Sequence, residues 1–189
     1  YQQCKIIFPK EFFEIHIPAF TISGYGDEGA ANHLRISKSH NEKGFEIFVY
    51  GESGFKIDRT LVKRQALEVS KSIAFNHKLD MESTFFLQQN HEAVAEGSFH
   101  NDIVSLSNEN IFIAHEMAFQ NKDDLNEMLK ILESKIDNFQ YIEISDSEIP
   151  LKDIINSYLI NSQLITNGDN EMQLILPEEV KGYENCMSW

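Results

Sequence analysis

The sequence predicts an α/β fold built from a repeated strand-strand-helix-strand unit. Three observations carry this. Short alternating or β-branched runs stand in pairs, an amphipathic helical stretch follows each pair, and the same order returns after the first unit ends. The 189 residues, 42% hydrophobic and 24% charged, provide for one core and not for two full domains. The chain therefore reads as a single domain divided into units: 1–23 the end of a preceding unit, 24–90 a first full unit, 91–148 a second, and 149–189 the start of a third.

The first unit opens on the polar, Gly-rich Gly24-Tyr25-Gly26-Asp27-Glu28-Gly29, and Ala31 to Ile36 then alternates like a half-buried strand. Phe45 to Tyr50, rich in β-branched and aromatic residues and bounded by Gly44 and Gly51, gives its partner. Between Thr60 and Asn76, Val62, Ala66, Val69 and Ile73 recur at helical spacing and mark one apolar face. Phe85 to Leu87 completes the unit as a short buried strand.

The second unit repeats the order. Asn101 to Leu106 and Asn110 to His115 form the strand pair across a turn at Ser107 to Glu109. Asn121 or Asp123 caps a helix whose buried face is Leu125, Met128, Leu132 and Ile136, and Tyr141 to Ile144 is the last strand. Asn32 and Asn101 fall at matching places in the two units. In the third, a short helix at Leu151 to Ile155 precedes strands at Ser157 to Ile165 and Met172 to Leu176, joined by the turn-rich Thr166-Asn167-Gly168-Asp169. Pro177-Glu178-Glu179 suits a helix start. Before the first unit, Ile6-Ile7-Phe8 is the apolar part of the preceding one.

Charge and composition exclude several classes. Sixteen basic against 30 acidic residues leave a net charge of -14, so a nucleic acid or an anionic bilayer is repelled. No apolar run reaches about 18 residues and no charged-then-apolar leader opens the chain, so the expectation is a soluble cytoplasmic protein. Cys4 and Cys186 lie at opposite ends and read as free thiols. A start at Tyr1 rather than at methionine reads as a processed product or a piece of a longer chain.

Carboxylates and imidazoles gather where the units begin: Asp27, Glu28, Asn32 and His33 in the first, His100, Asn101 and Asp102 in the second. In a repeat fold such equivalent loops converge on one face, where an acid and a histidine could bind a cation and move a proton near neutral pH. Turn residues and strand-end caps are the alternative reading. His91, His100, Asp102, His115 and Glu116 are metal-ligand types without His-x-x-x-His or Cys-x-x-Cys spacing, so no metal is expected. Arg64, between Lys63 and Gln65 on the helix, reads from its surroundings as a solvated side chain. Neither cysteine stands beside a Gly-rich turn or a histidine, and neither phosphate-loop spacing occurs.

The block Gly26-Asp27-Glu28-Gly29-Ala30-Ala31-Asn32-His33 carries a family resemblance, together with Phe48-Val49-Tyr50-Gly51, Gln88-Gln89-Asn90 and Phe99-His100-Asn101-Asp102. Ser157-Tyr158-Leu159, Asn161-Ser162-Gln163-Leu164 and Leu176-Pro177 extend it. From about Gly24 to Gly182 the chain resembles the middle of the N-succinylarginine dihydrolases, guanidine-modifying enzymes of bacterial arginine catabolism. The resemblance implies a pentein fold, an α/β propeller of five strand-strand-helix-strand units around a central pocket, of which this chain is an incomplete part. It also implies a hydrolase acting on the C–N bonds of a linear amidine, turning N2-succinylarginine into N2-succinylornithine, two ammonia and carbon dioxide without a cofactor. Position by position, Glu28 matches the catalytic carboxylate, His100 the catalytic histidine, Asp102 a substrate-binding acid, and Arg64 a binding arginine facing a substrate carboxylate. Asn32, in the same block as Glu28, joins the substrate-binding set.

The family's nucleophilic cysteine follows an Asn-Gly-Gly-Gly stretch that this chain does not contain, so Cys186 in Glu184-Asn185-Cys186-Met187 is not assigned that role. The expectation is a fragment with the acid and the histidine, inactive alone because its nucleophile lies elsewhere. Two alternatives stand beside it: an incomplete binding or interaction module of the same descent, and a related arginine deiminase or amidinotransferase. Unfinished units would leave strand edges and apolar faces open, which predicts self-association or a homo-oligomer.

Overall fold

β1 (His33–Ile36) runs antiparallel to β2 (Phe45–Tyr50), and β2 runs parallel to β3 (Thr84–Gln88), giving a three-stranded sheet in the order β1-β2-β3. The computed structural model describes residues 1–15, 30–51, 65–169 and 171–189. A tight turn suffices for the antiparallel pair, whereas the parallel pair needs a crossover. Part of that crossover is α2 (Leu67–Asn76), which buries Val69, Ser70 and Ala74. Of the predicted apolar face, Ala66 and Val69 are buried and Ile73 is half-buried, although Ala66 is the N-cap rather than a helical residue; Val62 lies outside the described residues.

The same topology returns. β4 (Ser105–Asn108) pairs antiparallel with β5 (Ile111–His115), and β5 pairs parallel with β6 (Gln140–Ile144). Their crossover is α4 (Lys122–Lys135), capped by Asn121 Oδ1 accepting from the Asp123 N–H at 3.0 Å. Leu125, Met128, Leu129 and Leu132 form its buried face. A short helix, α3 (His91–Ala95), intervenes after β3 and has no counterpart in the sequence reading.

The strands of the second pair start later than the alternation suggests. Residues Asn101–Ile103 form a 3-10 turn, and β4 begins only at Ser105. Asn101 Nδ2 donates to Ser105 Oγ, and that hydroxyl donates to the Asn101 carbonyl at 3.5 Å, a local closure that competes with the strand ladder. Ala30–Asn32 likewise turns before β1.

In the third stretch α5 (Leu151–Ser157) ends at Tyr158, whose φ of 57° lies in the left-handed region. The chain then buries Leu159 and Ile160 before β7 (Gln163–Thr166), which is why the strand predicted from Ser157 is short. β7 pairs antiparallel with β8 (Met172–Ile175). Asn167 Oδ1 holds the turn between them by accepting from the Asp169 and Glu171 N–H groups. A 3-10 turn at Glu178–Gly182, entered from Pro177, leads into α6 (Glu184–Ser188).

Among the described residues the chain is thus a mixed α/β assembly of small sheets with three, three and two strands. β1 lies against β4, and β4 against β7, so the first strand of each pair faces its neighbour. Ser107 Oγ donates to the Arg35 carbonyl at 3.1 Å, joining residues 72 positions apart, and the Ser37 N–H donates to the Glu109 carbonyl at 2.9 Å. One apolar core, including Ile36, Ile47, Leu106, Phe112, Leu132 and Ile154, runs through all three. Ile6 and Ile7 fall in α1 (Gln2–Ile7), which buries none of its residues, and residues 1–15 supply no strand to these sheets.

Candidate functional site

The loops that precede β1 and β4 meet. Asn32, 1% exposed, closes the turn before β1, and its Oδ1 accepts the Asn101 backbone N–H at 3.3 Å across 69 positions of sequence. Asn101 is itself fully buried. The two asparagines touch without being equivalent: Arg35 and Ser107 hold matching strand positions at a separation of 72, so Asn101 stands three places earlier in its unit than Asn32 does in its own.

Three of the five residues singled out from the sequence are brought to this junction. His100 precedes the 3-10 turn of Asn101–Ile103 and is half-buried, its ring 4.9 Å from that of Phe99 in an edge arrangement. Asp102, half-buried, sits in the first turn, one residue past Asn101. Asn32 anchors the turn from the neighbouring unit. Glu28 and Arg64 lie outside the described residues, as do Asp27 and the rest of the Gly-rich opening.

The His100 segment is held from beneath by residues that composition and motif reading do not single out for a role. Gln89, fully buried just past β3, donates from Nε2 to the Ser98 carbonyl at 2.7 Å and to Ser98 Oγ at 3.2 Å. Ser98 Oγ in turn donates to the His100 carbonyl at 3.3 Å. Gly97 makes the return possible with a φ of +117°, a conformation that a side chain disfavours. Asn90, beside Gln89, caps α3 by accepting from the Glu92 and Ala93 N–H groups. The clue available in the sequence is the adjacency of three amide side chains, Gln88-Gln89-Asn90, at the end of a buried strand.

Other candidates are placed away from this role. Cys186 is buried, with Sγ 3.5 Å from Ser157 Oγ, and burial raises its thiol pKa above the ordinary value. A thiol so held is protonated at neutral pH and is a poor nucleophile. Cys4 is exposed on α1. His115 is a core histidine: its ring Nδ1 accepts from the Met117 N–H at 3.2 Å, which leaves Nε2–H to donate to the Ile149 carbonyl at 3.1 Å. Burial lowers its pKa, so it is neutral. Among the described residues no group of three or more His, Cys, Asp or Glu could hold a metal ion, and no helix is long and apolar enough to cross a membrane.

His100 and Asp102 thus stand two residues apart on a turn pinned from a neighbouring unit, and imidazole and carboxylate are the side-chain types that carry proton transfer and cation binding in general. The family model described as succinylarginine dihydrolase matches residues 1–189. N-succinylarginine dihydrolase of Zymomonas mobilis is 41% identical over 182 residues, 96% of this chain and 41% of that protein. The corresponding protein of Sphingopyxis alaskensis is 35% identical over 187 residues, 99% of this chain and 43% of its own length. The chain thus spans about two fifths of the length of these relatives. The solved structure of the N-terminal domain of an ArgZ variant, covalently bound to a reaction intermediate, superposes with a TM-score of 0.48 at 16% identity, covering 84% of this chain and 46% of that one. On the match along its whole length and on the identity to these relatives, the chain belongs to the succinylarginine dihydrolase family.

Proposed function

We propose that this chain is the part of a succinylarginine dihydrolase that holds the substrate guanidinium and supplies the proton-transfer histidine. The observation that carries the reading is the junction itself: His100 and Asp102 flank Asn101, which Asn32 fixes from the adjoining unit. In this reading Glu28 and Asp102 hold the cation, Arg64 and Asn32 belong to the substrate-binding set, with Arg64 facing the succinyl carboxylate, and no cofactor takes part.

A guanidinium is a poor electrophile because its charge is delocalised. Attack by a thiolate, localisation of the charge by carboxylates and protonation of the leaving nitrogen must therefore act together. The thiolate adds to the guanidinium carbon and the C–N bond to one terminal nitrogen breaks as His100 protonates that nitrogen, releasing ammonia. His100 then takes a proton from the water that attacks the bound carbon, and the C–S bond breaks to return the thiolate and leave a ureido group. A second round on the ureido carbon releases the second ammonia and leaves a carbamate on the ornithine nitrogen, whose C–N bond breaks as carbon dioxide departs and the nitrogen takes up a proton, giving N2-succinylornithine.

The nucleophile belongs to a cysteine outside this chain, supported by the burial and raised pKa of Cys186. The division into units at 24–90, 91–148 and 149–189, as parts of an incomplete propeller, belongs to the same reading. So does self-association, supported by Ile6 and Phe12, which are 84% and 83% exposed. Incubating the 189-residue chain with N2-succinylarginine tests the assignment of the nucleophile. No succinylornithine is expected; its formation at a rate abolished by Cys186→Ala would overturn it.

A further inference from the structure

We infer that Gln89 is a positioning residue for His100, acting through Ser98; the functional meaning of this rests on the proposed role of His100, while the coupling itself does not. The side chain is fully buried at the end of β3, where a buried amide is costly unless its hydrogen bonds are made. Its Nε2 directs both described bonds to one residue, Ser98, and that residue passes a bond to the backbone of His100. Fixing the carbonyl fixes the peptide plane at the entrance of the turn, and with it the direction in which the His100 Cα–Cβ bond leaves the chain.

The rest of the loop is built to deliver Ser98 to that place. Asn90 starts α3 immediately after Gln89, and the Ser98 N–H donates to the Ala93 carbonyl at 2.9 Å as the helix ends. The Gln89 N–H donates to the Tyr50 carbonyl at 2.8 Å, tying the amide to β2, and Gln89 bridges to Phe119 on its other side. Gln89 therefore links the strand framework of the first unit to the His100 turn of the second. A group that must accept and deliver protons in one geometry gains from such a rigid support.

The test is histidine NMR on the whole chain, using the ring Cε1–H resonances of its seven histidines and His100→Gln to assign the signal of His100. In Gln89→Leu, close in size but without donors, the His100 resonance is expected to shift and broaden or split, while those of His33, His91 and His115 stay in place. Should that variant fail to fold, Ser98→Ala keeps the Ser98 carbonyl bond and removes only the hydroxyl relay, and a smaller change at His100 alone is expected. An unchanged His100 signal in a folded variant would overturn the inference, as would equal changes at all four histidines. Adding N2-succinylarginine to the wild-type chain reads the other claim separately: a His100 resonance indifferent to the ligand counts against the proposed function and leaves the effect of Gln89 intact.

Discussion

Asn32 Oδ1 accepts the backbone N–H of Asn101 at 3.3 Å, so a side chain of one unit satisfies the backbone of the turn that carries His100 and Asp102 in the next. Replacing Asn32 by alanine removes that acceptor and leaves a buried N–H unsatisfied, at a cost of roughly 1–3 kcal/mol. Urea unfolding of the chain should show the midpoint fall with little change in slope. A variant as stable as the wild type would contradict the role given to Asn32.

His115 makes stability depend on mild acid. Because burial lowers its pKa from 6.5, the unfolded chain binds a proton more readily than the folded one in the interval below 6.5. Its contribution is whole above that value and is lost as the pH falls from 6.5 toward the lowered pKa. Denaturant midpoints between about pH 7.5 and about pH 5.5 should decline, and they should decline less in a His115→Gln variant that still folds.

Glu109 acts in a separate, more acidic window. It sits in the β4–β5 turn with a φ of 47°, accepting from Thr166 Oγ1 at 2.7 Å and from the His40 N–H at 3.0 Å, so one carboxylate touches both neighbouring units. The Thr166 bond is the larger cause of its pKa lying below the ordinary 4.5. Its stabilisation is therefore present above 4.5 and lost as the pH drops through the lowered value. Glu109→Gln should flatten the acid limb of the stability curve below pH 4.5 and leave the slope at the higher pH where His115 titrates unchanged.

Native alkylation separates the two cysteines. Iodoacetamide near neutral pH should add one group to the folded chain, on exposed Cys4, and two after denaturation, because Cys186 is buried with a raised pKa. Mass spectrometry of peptides counts the adducts. Rapid native modification of Cys186 would remove the objection to it as a nucleophile.

Much of the strand framework is legible because periodicity reports burial. Phe45 to Tyr50 is β2 as read, and the face of α4 holds at Leu125, Met128 and Leu132. The turns before β1 and β4 read as strand because Ala31-Asn32 and Asn101-Asp102-Ile103 alternate in polarity, while the bonds of Asn101 to Ser105 that bend the chain are invisible to a polarity pattern. The same blindness hides Gln89: a buried glutamine at a strand end looks like any polar boundary residue until Ser98 is seen to return to it across nine positions. The site residues His100, Asp102 and Asn32 come from motif and resemblance, and spatial proximity among them requires the fold.

The most direct measurement replaces the matching segment of the Zymomonas mobilis N-succinylarginine dihydrolase, 41% identical over 182 residues, with this chain and assays the hybrid on N2-succinylarginine. Succinylornithine with two ammonia per turnover is expected, and loss of turnover in His100→Ala with the fold retained. A folded hybrid that yields no succinylornithine, or whose turnover survives His100→Ala, would contradict the assignment.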